Sequence, residues 1–399
     1  MRGPKLVAVG LYIATFVAVG AVAPYINVFF ESLGLSLGEI GILAAVLALV
    51  ALIAAPVWGA LADQLLGSRA ALVVAALAAA ALSAVVGLTN VVIVAVLFAI
   101  LYQMVAPGLG PILDAYTLDL VGENRNRYSL FRAWGSAAFV VAVVVVGILV
   151  DATSLRALFG VLVVTLSVVA VLALLIPART STHAARSLGG VSEVLRARPL
   201  AAFLVASLIV WSANAMINAF FSIYLVSLNA PTVLVGSAWA VGALVEVPIM
   251  LAFPLIARRV ALNRLLALGA VAFLARIVVL SLTSDPYVAA ATFVLHGFGY
   301  ALLLVGGVTY VAGLAPRGRA ATAQGVFAGV AAGLAMALGP AVAGLVANAT
   351  NLHTMFVVAA GVMAVGVIAM TIAVSSSRFA ARPLPSGADQ ASTDAATAA

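Results

Sequence analysis

The chain has 399 residues, 66% of them hydrophobic and 8% charged, with a formal net charge of +7 and no cysteine. A soluble domain is about a quarter charged and single cores stop growing at roughly 250–300 residues, so water-soluble globular classes are excluded and the bilayer must be the solvent. The missing cysteine excludes disulfides, thiolate metal sites and cysteine nucleophiles, and the scatter of Arg singly or in pairs between apolar runs gives no continuous basic stripe for nucleic acid.

The first apolar run, 6–30, follows a basic Met1–Lys5 but is too long for a signal-peptide core. We read it as the first spanning helix, since a crossing needs about 20 apolar residues. Further runs at 38–61, 70–89, 91–118, 129–150, 155–177, 200–227, 232–257, 262–283, 286–314, 320–348 and 351–375 bring the predicted spans to twelve. The polar stretch 178–199 is predicted to be a cytoplasmic linker between a six-helix bundle at 1–177 and a second at 200–375. Residues 376–399, rich in Ala, Ser, Thr, Asp and Pro, read as a disordered cytoplasmic tail. The expected fold is an all-α membrane protein whose twelve transmembrane helices form two pseudo-symmetric six-helix bundles.

Orientation follows from Lys and Arg. With the N-terminus inside, cytoplasmic segments hold Arg2, Lys5, Arg69, Arg125, Arg127, Arg179, Arg186, Arg196, Arg198, Arg258, Arg259, Arg264, Arg317, Arg319, Arg378 and Arg382, whereas the external loops hold only Arg156. Both termini are thus expected in the cytoplasm of a bacterial inner membrane. A shift of 195 residues lays Ser32-Leu33 on Ser227-Leu228, Gly41 on Gly236, Arg69 on Arg264 and Phe29 on Tyr224, as an internal repeat of parallel halves would.

An ionisable group at a helix centre costs about 2.5–3.5 kcal/mol to insert, so such residues are rare and usually functional. Here they are Asp114, Arg132, Glu246, Arg276 and His296. Asp114 and Arg132 lie in spans four and five, each about nine residues from the turn near Glu123, and should sit at similar depth. They read as a polar clamp for substrate or as a structural ion pair that aids insertion. Glu246, Arg276 and His296 fall in spans eight, nine and ten, where a carboxylate, a guanidinium and an imidazole can handle a proton. A static hydrogen-bonded network and direct substrate contact are the other readings. Gly59, Asp63 and Arg69 mark the loop between spans two and three. They serve either as ordinary inside-positive charge or as a gate, with Asp63 against a neighbouring helix N-terminus. The second half keeps Arg264 but has Arg258 where Asp63 would fall, so such a gate is asymmetric. Asn214 and Asn218, one turn apart in span seven, are substrate ligands or interhelical glue. Gly325, Gly329 and Gly333 suggest a close-packing face on span eleven. Pro24, Pro107, Pro111 and Pro248 are expected to bend helices. No phosphate-binding loop, metal-ligand spacing or soluble catalytic domain is present in the sequence, so we expect neither an enzyme nor a cofactor.

The Gly59–Arg69 segment resembles the loop signature of the major facilitator superfamily. Tyr128-Ser-Leu-Phe-Arg132-Ala-Trp134-Gly135-Ser136-Ala-Ala-Phe139 resembles a pattern of the group that contains lactose permease, nucleoside/proton symporters and 3-phenylpropionate transporters. Pro111-Ile-Leu-Asp114, Val245-Glu246-Val247-Pro248 and Leu295-His296-Gly297 fit the last of these best. The resemblance implies proton-coupled symport by alternating access, without cofactors. Asp114 and Arg132, with Trp134 and the two asparagines, would bind substrate, and Glu246, Arg276 and His296 would couple protons. The permease's second carboxylate, one turn after its His, is replaced here by Gly299, which leaves Glu246 as the proton candidate. Arg132 with Arg276 suits a carboxylate-bearing substrate and Asp114 a hydroxyl or amine, so aromatic acids, sugars and nucleosides stay open. The partners implied are a small molecule, protons and lipid, for a chain working as a monomer. Proton-driven efflux of hydrophobic compounds, uncoupled uniport, a non-transporting membrane sensor and an intramembrane enzyme are the alternatives.

Overall fold

The computed structural model describes residues 3–122, 128–177, 191–316 and 318–375. The predicted tail 376–399 and most of the predicted linker, 178–190, lie outside the described residues, as do Arg2, Glu123, Arg125, Arg127, Arg179, Arg186, Arg317, Arg378 and Arg382.

Eleven helical runs are long and apolar enough to cross a membrane. One of them, Leu37–Leu88, has 52 residues. A straight helix of that length would extend roughly 78 Å against a hydrocarbon core of about 30 Å. It instead turns at Gly67, whose φ of 72° and ψ of 158° lie outside the helical region and need glycine. The run is therefore two crossings, and the spans among the described residues number twelve, the first half supplying α1 Gly3–Ser32, α2 Leu37–Leu61, α3 Gly67–Leu88, α4 Val92–Val121, α5 Tyr128–Ala152 and α6 Ala157–Leu174. The second half supplies α7 Arg198–Ser227, α8 Thr232–Ala257, α9 Leu262–Leu282, α10 Pro286–Leu314, α11 Ala320–Ala349 and α12 Leu352–Ser375. A short helix, Val191–Arg196, precedes α7 and is tied to the start of α11 by Arg319, which donates to Glu193 at 2.9 and 3.0 Å. No strand occurs among the described residues.

Two of the four prolines expected to bend helices sit at breaks, where their missing N–H costs least, while Pro111 lies within the helical run after Gly108. Pro24 sits in a turn that breaks α1 between Val22 and Ile26, and Pro107 in a 3-10 turn that breaks α4. Pro248 is carried inside α8 without a break.

Within the first half α1 packs on α5 and α6, and α3 on α6. The second half repeats this with α7 on α11 and α12, and α9 on α12. The halves meet where α2 crosses α11 and α5 crosses α8. Both crossings are built on glycine. A Cβ at Gly41 would lie 2.3 Å from Pro340 O, and one at Gly344 2.7 Å from Leu37 O. At the other crossing, a Cβ at Gly236 would lie 2.0 Å from Val143 O, and one at Gly147 2.8 Å from Thr232 O. Gly41 and Gly236 are the repeat pair seen in the sequence, whereas the shift lays Gly147 on Val342, two residues from Gly344. One half of each inter-half contact is thus in register with the repeat.

All four glycines lie toward the ends of their helices remote from the termini, here called the far side. There the halves are closed. Asp151, at the end of α5, strengthens the closure by accepting from the backbone N–H groups of Thr232 and Val233, both at 2.8 Å, and from the Thr232 hydroxyl. Those N–H groups are orphan donors of the α8 N-terminus, for which Pro231 offers no side-chain cap. Arg156, the lone basic residue expected in the external loops, spends its donors on Gly87 O, Thr89 O and Asn90 Oδ1 at 2.6, 3.0 and 2.5 Å, joining the far ends of α3 and α6. One expectation is corrected. Gly325 and Gly329 face open space, and only Gly333 is closely packed, against Leu52. The first turns of α11 pack through Ala323 and Phe327, so Gly325 and Gly329 fall on a face that meets no neighbour.

Candidate functional site

Two groups of polar side chains occupy the interior. The first lies nearer the terminal side. Asp114 accepts a 2.6 Å hydrogen bond from the hydroxyl of Tyr12, a buried residue of α1, and is 3.5 Å from Arg132 Nη1. Arg132 Nη1 is also 3.5 Å from the Tyr128 hydroxyl, and its guanidinium lies 5.7 Å from the Phe16 ring centre. The pair faces inward yet is reached by water, the side chains being 52% and 31% exposed for Arg132 and Asp114. Glu246 of α8 lies within electrostatic reach of Arg132 and Tyr300.

The second group lies on α7, α9 and α10. Arg276 is 1% exposed, and its Nη1 lies 2.9 Å from Asn218 Oδ1 and 3.0 Å from His296 Nδ1. Arg is a donor only, so Nδ1 of His296 must accept, which fixes the tautomer with the proton on Nε2. The guanidinium lies over Phe293 at 4.4 Å and Phe221 at 5.3 Å, so aromatic faces supply much of its local solvation. Its Nε and Nη2 have no hydrogen-bond partner among the described residues. Of the trio expected to couple protons, Arg276 and His296 touch each other, while Glu246 lies within electrostatic reach of Arg132 in the other half and Tyr300 in its own.

Between the halves, toward the far side, lies a cavity of about 340 Å³. Its wall takes residues from α1, α2, α3, α4, α6, α7 and α11. Asn27, Ser83, Tyr102, Gln103 and Asn218 are its polar members, and no lining residue is charged. Asn218 thus belongs to the cavity wall and to the Arg276 group at once. Asn214, one turn away, is buried but not part of the wall. Trp134 is 55% exposed and also outside it. Gly59 meets nothing within 4 Å of a built Cβ. Asp63 falls in a wide π-type turn, Ala62–Leu66, and neither it nor Arg69 makes a hydrogen bond or ion pair among the described residues. The search for ionisable groups passed over Tyr12, Asn27, Tyr102 and Gln103. An uncharged polar residue inside an apolar run is what marks them, and that signal is shared with many structural residues.

Twelve spans in two related halves, with an uncharged cavity between the halves and an ionisable cluster nearer the terminal side, define a transporter of the major facilitator type. The family model described as MFS_1 like family matches residues 7–358, and the chain belongs to that family. It is 28% identical over 323 residues to a maltose permease of Geobacillus stearothermophilus, covering 80% of this chain and 82% of that one. It is 23% identical over 332 residues to the uncharacterized transporter YwbF of Bacillus subtilis (strain 168), covering 80% and 81%. Among solved structures, the nucleoside transporter NupG (D323A mutant) superposes with a TM-score of 0.82 at 17% identity, covering 92% of this chain and 99% of that one. A POT family transporter in complex with a thioalcohol-conjugated peptide gives 0.74 at 14% identity, covering 93% and 95%. These structural likenesses concern the fold.

Proposed function

We propose that the protein is a proton-coupled symporter that carries a small uncharged polar solute of sugar or nucleoside size. The carrying observation is the cavity. It takes lining from both halves, its largely apolar wall carries a few amides and hydroxyls and no charge, and it lies beyond a separate cluster of ionisable groups. An ammonium would be desolvated there without a counter-charge, which is costly, and a carboxylate would find its nearest cation, Arg276, behind Asn218 rather than in the wall. A sugar or nucleoside meets donors and acceptors, as the relatives' names also suggest. Asp114, Arg132 and Glu246 would then handle the proton rather than hold the solute, with Tyr12 and Tyr128 as hydroxyl partners. Asn218 contacts the solute, and Arg276 and His296 stand behind it. The clustering of Arg and Lys assigns the terminal side to the cytoplasm of a bacterial inner membrane, so this conformation faces inward. Asp63 and Arg69 would engage α11 only when the cytoplasmic side closes. The chain would work as a monomer, since one chain already encloses the path.

Proteoliposomes holding a pH-sensitive dye test this reading with maltose, uridine, aromatic acids and cationic drugs outside. A neutral solute is expected to drive proton entry, and Glu246→Gln to abolish it. Proton entry driven only by an aromatic acid would refute the neutral-solute assignment. Solute equilibration with no proton movement, equal in both proteins, would refute coupling.

A further inference from the structure

Two amides in the cavity wall have orientations that their partners leave no freedom to reverse. Asn218 Oδ1 receives Arg276 Nη1 at 2.9 Å. A guanidinium only donates, so turning the amide over would set N–H against N–H. Asn27 Nδ2 donates to the backbone carbonyl of Ala219 at 2.8 Å. A carbonyl only accepts, so that amide is fixed the other way. The free atoms are consequently of opposite kind. Asn218 offers Nδ2 as a donor, and Asn27 offers Oδ1 as an acceptor. Neither atom is bonded within the protein, and neither is a buried group lacking a partner, so both remain accessible in a wall to which both residues contribute. Because Asn27 bonds to the residue that follows Asn218, the two amides are neighbours. One belongs to α1 and the other to α7, on opposite sides of the inter-half boundary.

We infer that Asn218 and Asn27 form a donor–acceptor pair that selects solutes presenting an acceptor and a donor side by side, with Arg276 as the positioning residue that sets the polarity. The inference rests on the cavity being the solute site. The matching chemistry is an uncharged hydroxyl group, or a lactam edge with C=O beside N–H. A solute with only acceptors leaves Asn27 Oδ1 unpaired, and one with only donors leaves Asn218 Nδ2 unpaired. Each mismatch weakens binding by about tenfold. A matched solute touches both halves at once, so its binding holds α1 and α7 together.

The test is calorimetric binding to the full chain in lipid nanodiscs. The ligands are uridine against N3-methyluridine, which has lost the donor, and maltose against monofluorodeoxymaltoses, in which fluorine cannot donate. Wild-type protein is expected to bind one parent and to disfavour a donor-deleted analogue about tenfold. Arg276→Lys, still a pure donor, should keep that parent's affinity. Arg276→Gln can donate or accept, frees the Asn218 amide to turn, and should lose about tenfold. Asn218→Asp keeps its bond to Arg276 while presenting an oxygen in place of N–H, and should weaken the parent at least tenfold. The analogue pairs need no variant, so they remain decisive if a substitution fails to fold. Equal binding of parent and every donor-deleted analogue overturns the inference. So does Asn218→Asp binding the parent as wild type does, or Arg276→Gln matching Arg276→Lys. In each case the site assignment survives, because a parent still binds. Binding of neither parent overturns the inference and the cavity assignment together.

Discussion

Replacing Asp151 by Asn should open the far side. The carboxylate binds the α8 N-terminus only while α5 and α8 are crossed, through Thr232 N and Oγ1 on one oxygen and Val233 N on the other. Asn keeps the shape but turns one oxygen into a donor facing donors, and removes the charge from the helix terminus. A charge-assisted hydrogen bond is worth about 1.5–3 kcal/mol and a carboxylate at a helix N-terminus about 0.3–1 kcal/mol. The loss falls on one state alone, so about 2 kcal/mol moves the closed–open equilibrium by roughly thirtyfold. The cysteine-free chain makes the assay direct. Spin labels at Ser154→Cys and Tyr287→Cys, both exposed on the far side of opposite halves, report the separation by pulsed electron resonance. Asp151→Asn should convert a minor long-distance component into the main one. Distance distributions that superpose on those of the parent would refute the latch and reduce the contact to ordinary helix capping.

Three further outcomes are expected. Gly236→Val and Gly41→Val drive a side chain into backbone 2.0 and 2.3 Å away; each should cost the far-closed state about 1–3 kcal/mol, seen as faster maleimide labelling of Ala215→Cys from the far side. Arg276→Met exchanges a buried cation without a carboxylate for an apolar chain of similar length, so the melting temperature in detergent should hold or rise while solute transport is lost. Arg319 beside Glu193 holds that carboxyl below its ordinary value by hydrogen bonding and then by charge. A depressed value means the contact is complete above the unperturbed value of about 4.3 and is lost as pH falls through the lowered one. The separation of labels at Leu195→Cys and Ala321→Cys should thus be constant through neutral pH and lengthen only in stronger acid.

The spans were legible because each crossing must be apolar for about 20 residues, and most helix boundaries fall within a few residues of the apolar runs. The turn at Gly67 could also be anticipated, since the polar break at Asp63–Arg69 divides the 52-residue run. Gly41 and Gly236 were legible as a repeat, but not as contacts. Their partners Gly147 and Gly344 look like any other glycine in so Ala- and Gly-rich a chain, and pairing is set by three-dimensional crossing. The Asp114–Arg132 proximity followed from helix rise on a hairpin. The separation of Glu246 from Arg276 did not, because depth along a helix is readable whereas the direction of a side chain around it is not when the apolar pattern covers every face. Asp151 was overlooked for a related reason: at the end of α5 it resembles an ordinary interfacial charge, and only the fold places the α8 N-terminus against it.

The two crossings match in their glycines but not in their fastenings. The α2 N-terminus is closed by its own Ser36–Glu39 capping box, and its partner helix sets Asn348 beside Gly38, 3.3 Å from where a Cβ there would lie. The α8 N-terminus depends on a carboxylate from the opposite half. The α2–α11 crossing is therefore held by packing, and the α5–α8 crossing by packing and charge. The cavity lies beside the first, with Ala44, Leu47 and Ala48 of α2 and Met336 and Pro340 of α11 in its wall. Arg132 and Glu246 lie on the helices of the second. On the proposed reading, a neutral solute alters the contact that lacks charge, and a proton alters the field along the helices that Asp151 fastens. Each ligand then acts on one of two restraints on the same far-side closure, so coupling needs no direct contact between solute and proton.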